Sequence, residues 1–234
     1  MKHYIMSEFK RQFKTLIIWT ILILGLSILM LSMFPAFNES LSDLESLLGD
    51  MPPGFLEVFG LGDGGLDITS PYGWYGMEGY LFVILLGGSY AGVIGSTILS
   101  KEEDDQTIEF LLSKPISRNQ ILLGKGLVIV INLLLMNVLL FFTLTIMFSI
   151  IGDLQMGIIT LFAVGSLMLQ VIFASISYAL SVFMTKSRKV MSAALGLVVG
   201  LFFLDIIATL TDQLNFLKYL TPYEYVNAVS IVNE

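Results

Sequence analysis

Residues Lys101 to Lys125 read KEEDDQTIEFLLSKPISRNQILLGK, a long charged segment held between two apolar runs. It opens with four consecutive acids, Glu102 to Asp105, and continues into Ile108, Leu111 and Leu112 at helical spacing. Pro115 ends that pattern, because it lacks a backbone donor and pushes Lys114 out of the helical region. The chain restarts at Ser117-Arg118-Asn119, where Ser117 is placed to cap the next helix. A mere connection would need only four to six residues, the length of the other turns in the chain. A short docking helix accounts for both the length and the pattern. Ile108, Leu111 and Leu112 would enter a partner's groove, while Glu109 and Arg118 fix orientation at its rim. The alternative is a helix resting on lipid, against which the acid cluster argues, since anionic lipid would repel it.

The surroundings of that segment decide the fold class. Hydrophobic residues make up 56% of the 234 positions and charged residues 13%, against about 25% charged in a soluble domain. The expected fold is an all-α integral membrane bundle in a single domain, 1–234. Five apolar runs are long enough to cross, at about 16–34, 79–99, 127–151, 157–184 and 190–210. Eleven of the twelve Lys and Arg fall on one side of these spans, and only Lys218 on the other. The positive-inside rule makes the first side, with the N-terminus, cytoplasmic. Eight of the nineteen acids lie between Glu39 and Glu78, so the net charge of −7 belongs mainly to the exterior, and no nucleic-acid partner is expected.

Before the first span, Ile5, Phe9, Phe13 and Leu16 recur beside Lys10, Arg11 and Lys14. This reads as an amphipathic helix over 4–14 lying in the interface, with a plain basic anchor as the alternative. The first span is expected to end at Pro35. The external segment 36–78 has no Lys or Arg and suggests two short amphipathic helices, around Leu41–Leu48 and Phe55–Phe59, separated by Met51-Pro52-Pro53-Gly54. Its glycines, Gly60 to Gly65, serve turns; there is no Lys-Ser/Thr ending to make a phosphate loop. Tyr72, Trp74, Tyr75 and Tyr80 are expected to form an interfacial belt. Gly87, Ala91 and Gly95, with Gly88, Gly92 and Ser96 beside them, give the second span a surface for close helix packing.

Candidates for covalent chemistry are few. There is no cysteine, and the one histidine is His3, outside the spans. No metal site, nucleotide loop or catalytic pair is discernible, so the chain is not expected to be an enzyme or to hold a cofactor itself. Asn132, Asn137 and Gln170 could line a polar path, though hydrogen bonding between helices is their commoner use. Asp205 is the one ionisable residue within a span, five residues from its outer end, where water can reach it.

At the opening segment the sequence resembles the membrane subunit of a type-2 ATP-binding-cassette (ABC) exporter. The resemblance is carried by Glu102, then Gln106-Thr107-Ile108-Glu109-Phe110-Leu111-Leu112-Ser113, Pro115-Ile116-Ser117-Arg118 and the closing Gly124-Lys125. Met51-Pro52-Pro53-Gly54-Phe55, Phe59-Gly60-Leu61 and Thr221-Pro222-Tyr223 are similar to patterns in the same permeases. The resemblance implies an N-terminal elbow helix and a cytoplasmic coupling helix docked on a separate ATPase. It assigns ATPase coupling to Glu102, Thr107, Ile108, Glu109, Leu111, Leu112, Pro115 and Arg118, and places ATP and Mg in the partner. It further implies two ATPase copies, a second permease copy as homodimer or paired paralogue, a bacterial plasma membrane, and a sixth span after Glu234. The sparse polar groups of the spans favour an amphipathic or hydrophobic cargo such as a peptide toxin, antibiotic or lipid. A competing reading is a non-transporting sensor or scaffold that binds through the acidic external segment. A secondary carrier would need more intramembrane carboxylates than Asp205.

Overall fold

No glycine or proline interrupts residues 2–24, and the chain there forms a single helix. The computed structural model describes residues 2–38, 65–104, 117–184, 186–210 and 212–233. Helix α1 spans Lys2–Asn38, α2 Tyr80–Asp104, α3 Arg118–Ile151, α4 Met156–Phe183 and α5 Ser187–Leu210. All five are long and apolar enough to cross a membrane. No strand occurs among the described residues.

The expected elbow helix at 4–14 and span at 16–34 are thus one element of 37 residues. The physical reason lies in what the first turns touch. Ile5 and Phe9 pack on the core, Glu8 is buried, and Tyr4 lies against Gly124 at the start of α3. Those turns are held by protein, so nothing bends them into the plane of the interface. Pro35 does not end α1 either. It sits inside the last turn, where the lost donor costs one hydrogen bond near a terminus already short of partners.

Helix α2 is the centre of the bundle, packed most extensively on α4, then α5, with α1 alongside; α3 closes the group against α1 and α4. Its small residues make this possible. A Cβ at Gly95 would stand 2.6 Å from the Ala174 carbonyl oxygen, so the α2 and α4 backbones meet at a distance only glycine allows. The α3–α4 connection is tight: Gly152, at φ 92°, donates its N–H to the Phe148 carbonyl (3.1 Å), and Asp153 donates to the same oxygen (3.2 Å). This left-handed closure satisfies orphan carbonyls at the helix end. At the other end of α3, Ser117 caps as its position suggested. Its Oγ accepts from Gln120 N (3.3 Å), while Gln120 Oε1 accepts from Ser117 N (3.0 Å).

The chain enters α2 through a short helix, Pro71–Trp74, capped by Ser70, and a π turn, Tyr75–Gly79. Here the expected aromatic belt is overturned: Tyr72, Trp74, Tyr75 and Tyr80 are all buried. Tyr72 stacks on Phe148 (4.2 Å) and Tyr75 meets Phe162 edge-on (5.3 Å). Three polar tips have internal partners, which removes the need for the water of an interface. The Trp74 indole donates to Met30 O (2.9 Å), Tyr75 pairs with Ser27 Oγ (3.1 Å), and Tyr72 donates to Asp153 O (2.8 Å) and accepts from Gln155 N (2.7 Å).

The tail folds back over this end. After a 3-10 helix, Asp212–Leu220, Thr221 and Tyr223 are buried, and α6 (Ala228–Asn233) lies against α4 and the re-entry turn. Tyr223 donates its hydroxyl to Val198 O (3.2 Å); burial, with the Asp205 charge nearby, pushes its phenol up and keeps that proton in place. The expected helices at Leu41–Leu48 and Phe55–Phe59 lie outside the described residues.

Candidate functional site

Four charged side chains meet at the basic end of the bundle, where α2 ends and α3 begins. Glu8 and Arg11 come from one face of α1, three positions apart, with Arg11 Nη1 3.3 Å from Glu8 Oε2. Glu102 comes from the last turn of α2 and lies 3.1 Å from Arg11 Nη1 through Oε1 and 3.0 Å from Lys125 Nζ through Oε2. Lys125, two turns into α3, also stands 3.7 Å from Glu8 Oε1 and donates to the Ile98 carbonyl of α2.

Burial makes this cluster unlike a surface ion pair. Glu8, Glu102 and Lys125 are 3%, 4% and 0% exposed, whereas the Arg11 side chain, 46% exposed, closes the cluster towards solvent. Each buried ion costs several kcal/mol of lost hydration. Two acids against two bases offset that cost and leave the cluster neutral. The pairing is not complete. Glu8 Oε1 accepts no hydrogen bond among the described residues, and neither does the nearby buried Tyr4 hydroxyl find a partner there. Tyr178 of α4 adds a fourth helix, donating to Leu122 O at the start of α3 (2.8 Å). Beside the cluster, α1, α2 and α5 enclose a cavity of about 360 Å³ whose charged wall residues are Arg11, Lys101, Asp104 and Arg188.

The residues singled out from the sequence fall in several places. Glu102 belongs to this cluster, facing inward, and Arg118 is exposed on the first turn of α3. Thr107, Ile108, Glu109, Leu111, Leu112 and Pro115 lie outside the described residues. Asn137 and Gln170 are joined, Asn137 Nδ2 donating to Gln170 Oε1 (2.6 Å) and to Leu133 O (2.8 Å), with Gln170 Nε2 passing on to Ser166 Oγ (2.8 Å). Asn132 instead bonds its own helix at Val128 O (2.7 Å). Asp205 is separate from all three and accepts from Thr221 Oγ1 of the tail. Among the described residues, no hydrogen bond joins Asn132 or Asp205 to the Asn137–Gln170 pair.

Glu8, Arg11 and Lys125 were the residues that sequence reasoning passed over as contributors to a site. Glu8 carried a signal. It is the one acid in a basic tail, and it falls on the same helical stripe as Ile5 and Phe9, where a solvated acid has no place. Lys125 gave less, since a lysine after a loop reads as a membrane-edge anchor.

A profile of the family described as ABC-2 family transporter protein matches residues 5–231. No curated protein and no solved structure matches the chain.

Proposed function

This chain belongs to the ABC-2 transporter family as a multi-pass membrane subunit, and from that premise we propose that it is an exporter permease worked by the segment 105–116. The family pairs such subunits with an ABC ATPase; in this reading two ATPase copies bind the ATP and Mg, and two permease copies form the path. In this reading the N-terminus and the segment between α2 and α3 face the cytoplasm of a bacterial cell, an orientation that the positions of the bases support. The cargo is an amphipathic or hydrophobic molecule, in keeping with spans poor in polar groups.

The observation that carries the proposal is the buried ion cluster at the root of the loop. Glu102 stands two residues before the end of α2, Lys125 seven residues after α3 begins, and Glu8 binds the same ammonium from α1. A push on the loop would otherwise fray the two helix ends. With both ends joined through charges that are costly to separate in a dry site, the push moves α1, α2 and α3 together. Because α2 is also the main partner of α4 and α5, the displacement reaches the whole bundle.

The test is an affinity pull-down from the native host, followed by reconstitution. A soluble ATPase should copurify in equal amounts, and Leu111→Arg should abolish ATP-dependent export while the chain still inserts. Recovery of the chain without an ATPase, or unchanged export by Leu111→Arg, would overturn the proposal.

A further inference from the structure

A second cavity lies at the opposite end of the bundle, where nothing so far has been given a role. It measures about 290 Å³ and is walled by α2, α5 and the folded-back tail. Ligand cavities begin at about this size. Its walls are largely apolar and aromatic, with Tyr80, Phe202 and Tyr223 among them; Phe202 and Tyr223 meet edge-on at 5.5 Å. Among the described residues, Asp205 is the one carboxylate in the lining.

The state of that carboxylate is informative. Among the described residues, Thr221 is the hydrogen-bond donor to it, through Oδ1, which leaves Oδ2 with open acceptor positions. Among the described residues the other charges that act on it are Glu224 and Lys218, one of each sign. A half-satisfied carboxylate beside aromatic faces is complementary to an organic cation, which gains an ion pair and ring contacts together.

We propose that the cavity between α2, α5 and the tail binds a monovalent organic cation with an apolar body, its charged group on Asp205 and its body against Phe202 and Tyr80. The chemistry is shared by two sources, the amine headgroup of a lipid and a free amphiphilic amine. The site needs no ATPase, so its failure would leave the permease reading untouched. If the ligand is cargo, that step rests on the permease reading.

The experiment uses the full chain in phosphatidylcholine nanodiscs, without ATPase, and an octylamine carrying a photoactivatable diazirine on its tail. Labelling should map to Tyr80–Ile84 and Phe202–Thr209 and should exceed that by the equivalent octyl alcohol about tenfold. Asp205→Asn should remove that preference; Ile206→Trp, which fills the cavity and keeps Asp205 and Thr221, should remove labelling even if Asp205→Asn fails to fold. Competition by unlabelled octylammonium assigns a free amine, and loss of labelling in phosphatidylethanolamine bilayers assigns a lipid. Equal labelling by amine and alcohol, or full labelling of Ile206→Trp at these segments, would overturn the site.

Discussion

Glu102 on α2 and Lys125 on α3 stand 3.0 Å apart, so the end of α2 and the start of α3 are bound to each other by opposite charges, both buried. Lys125→Met would leave two buried acids, Glu8 and Glu102, sharing the one base Arg11 in a dry site, at a cost of about 3–5 kcal/mol. Thermal unfolding of the purified chain should shift down accordingly. The double variant Glu102→Gln/Lys125→Met should recover part of the loss, because one acid and one base then remain in the cluster, while export stays impaired. Equal melting of single and double variants would show that the pair is not coupled.

Arg11 offers the contrast within the same cluster. Its side chain is nearly half exposed, so water screens its pairs with the buried Glu8 and Glu102 and they are worth less than those of Lys125. Arg11→Ala should lower the melting temperature less than Lys125→Met and show less effect at high salt than at low. A loss as large as that of Lys125→Met would place Arg11 among the essential members.

Gly95→Val tests the contact of α2 with α4. The added side chain would enter the space of the Ala174 carbonyl, and overpacking of this kind costs about 1–3 kcal/mol. Gly196→Val on α5 meets nothing within 4 Å and should leave the isolated chain as stable as before. Thermal melts of the two variants, measured side by side, decide it.

Asn137 and Gln170 share a 2.6 Å hydrogen bond. If its role is to join α3 to α4, Asn137→Leu should cost about 0.6 kcal/mol, up to roughly 1.7. Asn137→Leu/Gln170→Leu should be no worse than the single change, and export should survive. Loss of export with normal stability would instead place the pair on the cargo's route.

Tyr72 bridges the π-turn region to the α3–α4 hairpin through Asp153 and Gln155. Tyr72→Phe removes both bonds, at about 0.5–1.5 kcal/mol each. The hairpin at 152–155 should become the first site cut by an added protease, before any change in global melting.

Five crossing helices, the cap at Ser117 and the tight 152–155 hairpin were all legible in the sequence, because each is a local matter of hydrophobic run length or turn chemistry. What was not legible is the direction in which ambiguous side chains face. Tyr72, Trp74 and Tyr75 are amphipathic rings that suit an interface or a core equally; Met30, Ser27 and Asp153, distant in sequence, decide for the core. The same holds for Glu8 and Lys125. Bases flanking a span read as anchors until the third helix that supplies their counter-charge is in place. Asn137 and Gln170 were legible as candidate helix-to-helix bonds, but their exact pairing was not.

The unbroken α1 has a mechanical consequence. At about 1.5 Å per residue its 37 residues measure roughly 55 Å, nearly twice the hydrocarbon thickness of about 30 Å. A rod that long works as a lever: swinging it by about 10° sweeps the far tip through roughly 10 Å. Glu102 and Lys125 grip it near one tip through Arg11 and Glu8, and Trp74 touches it near the other through Met30. A small tilt at the charged end is thereby amplified at the opposite membrane surface without any helix having to bend.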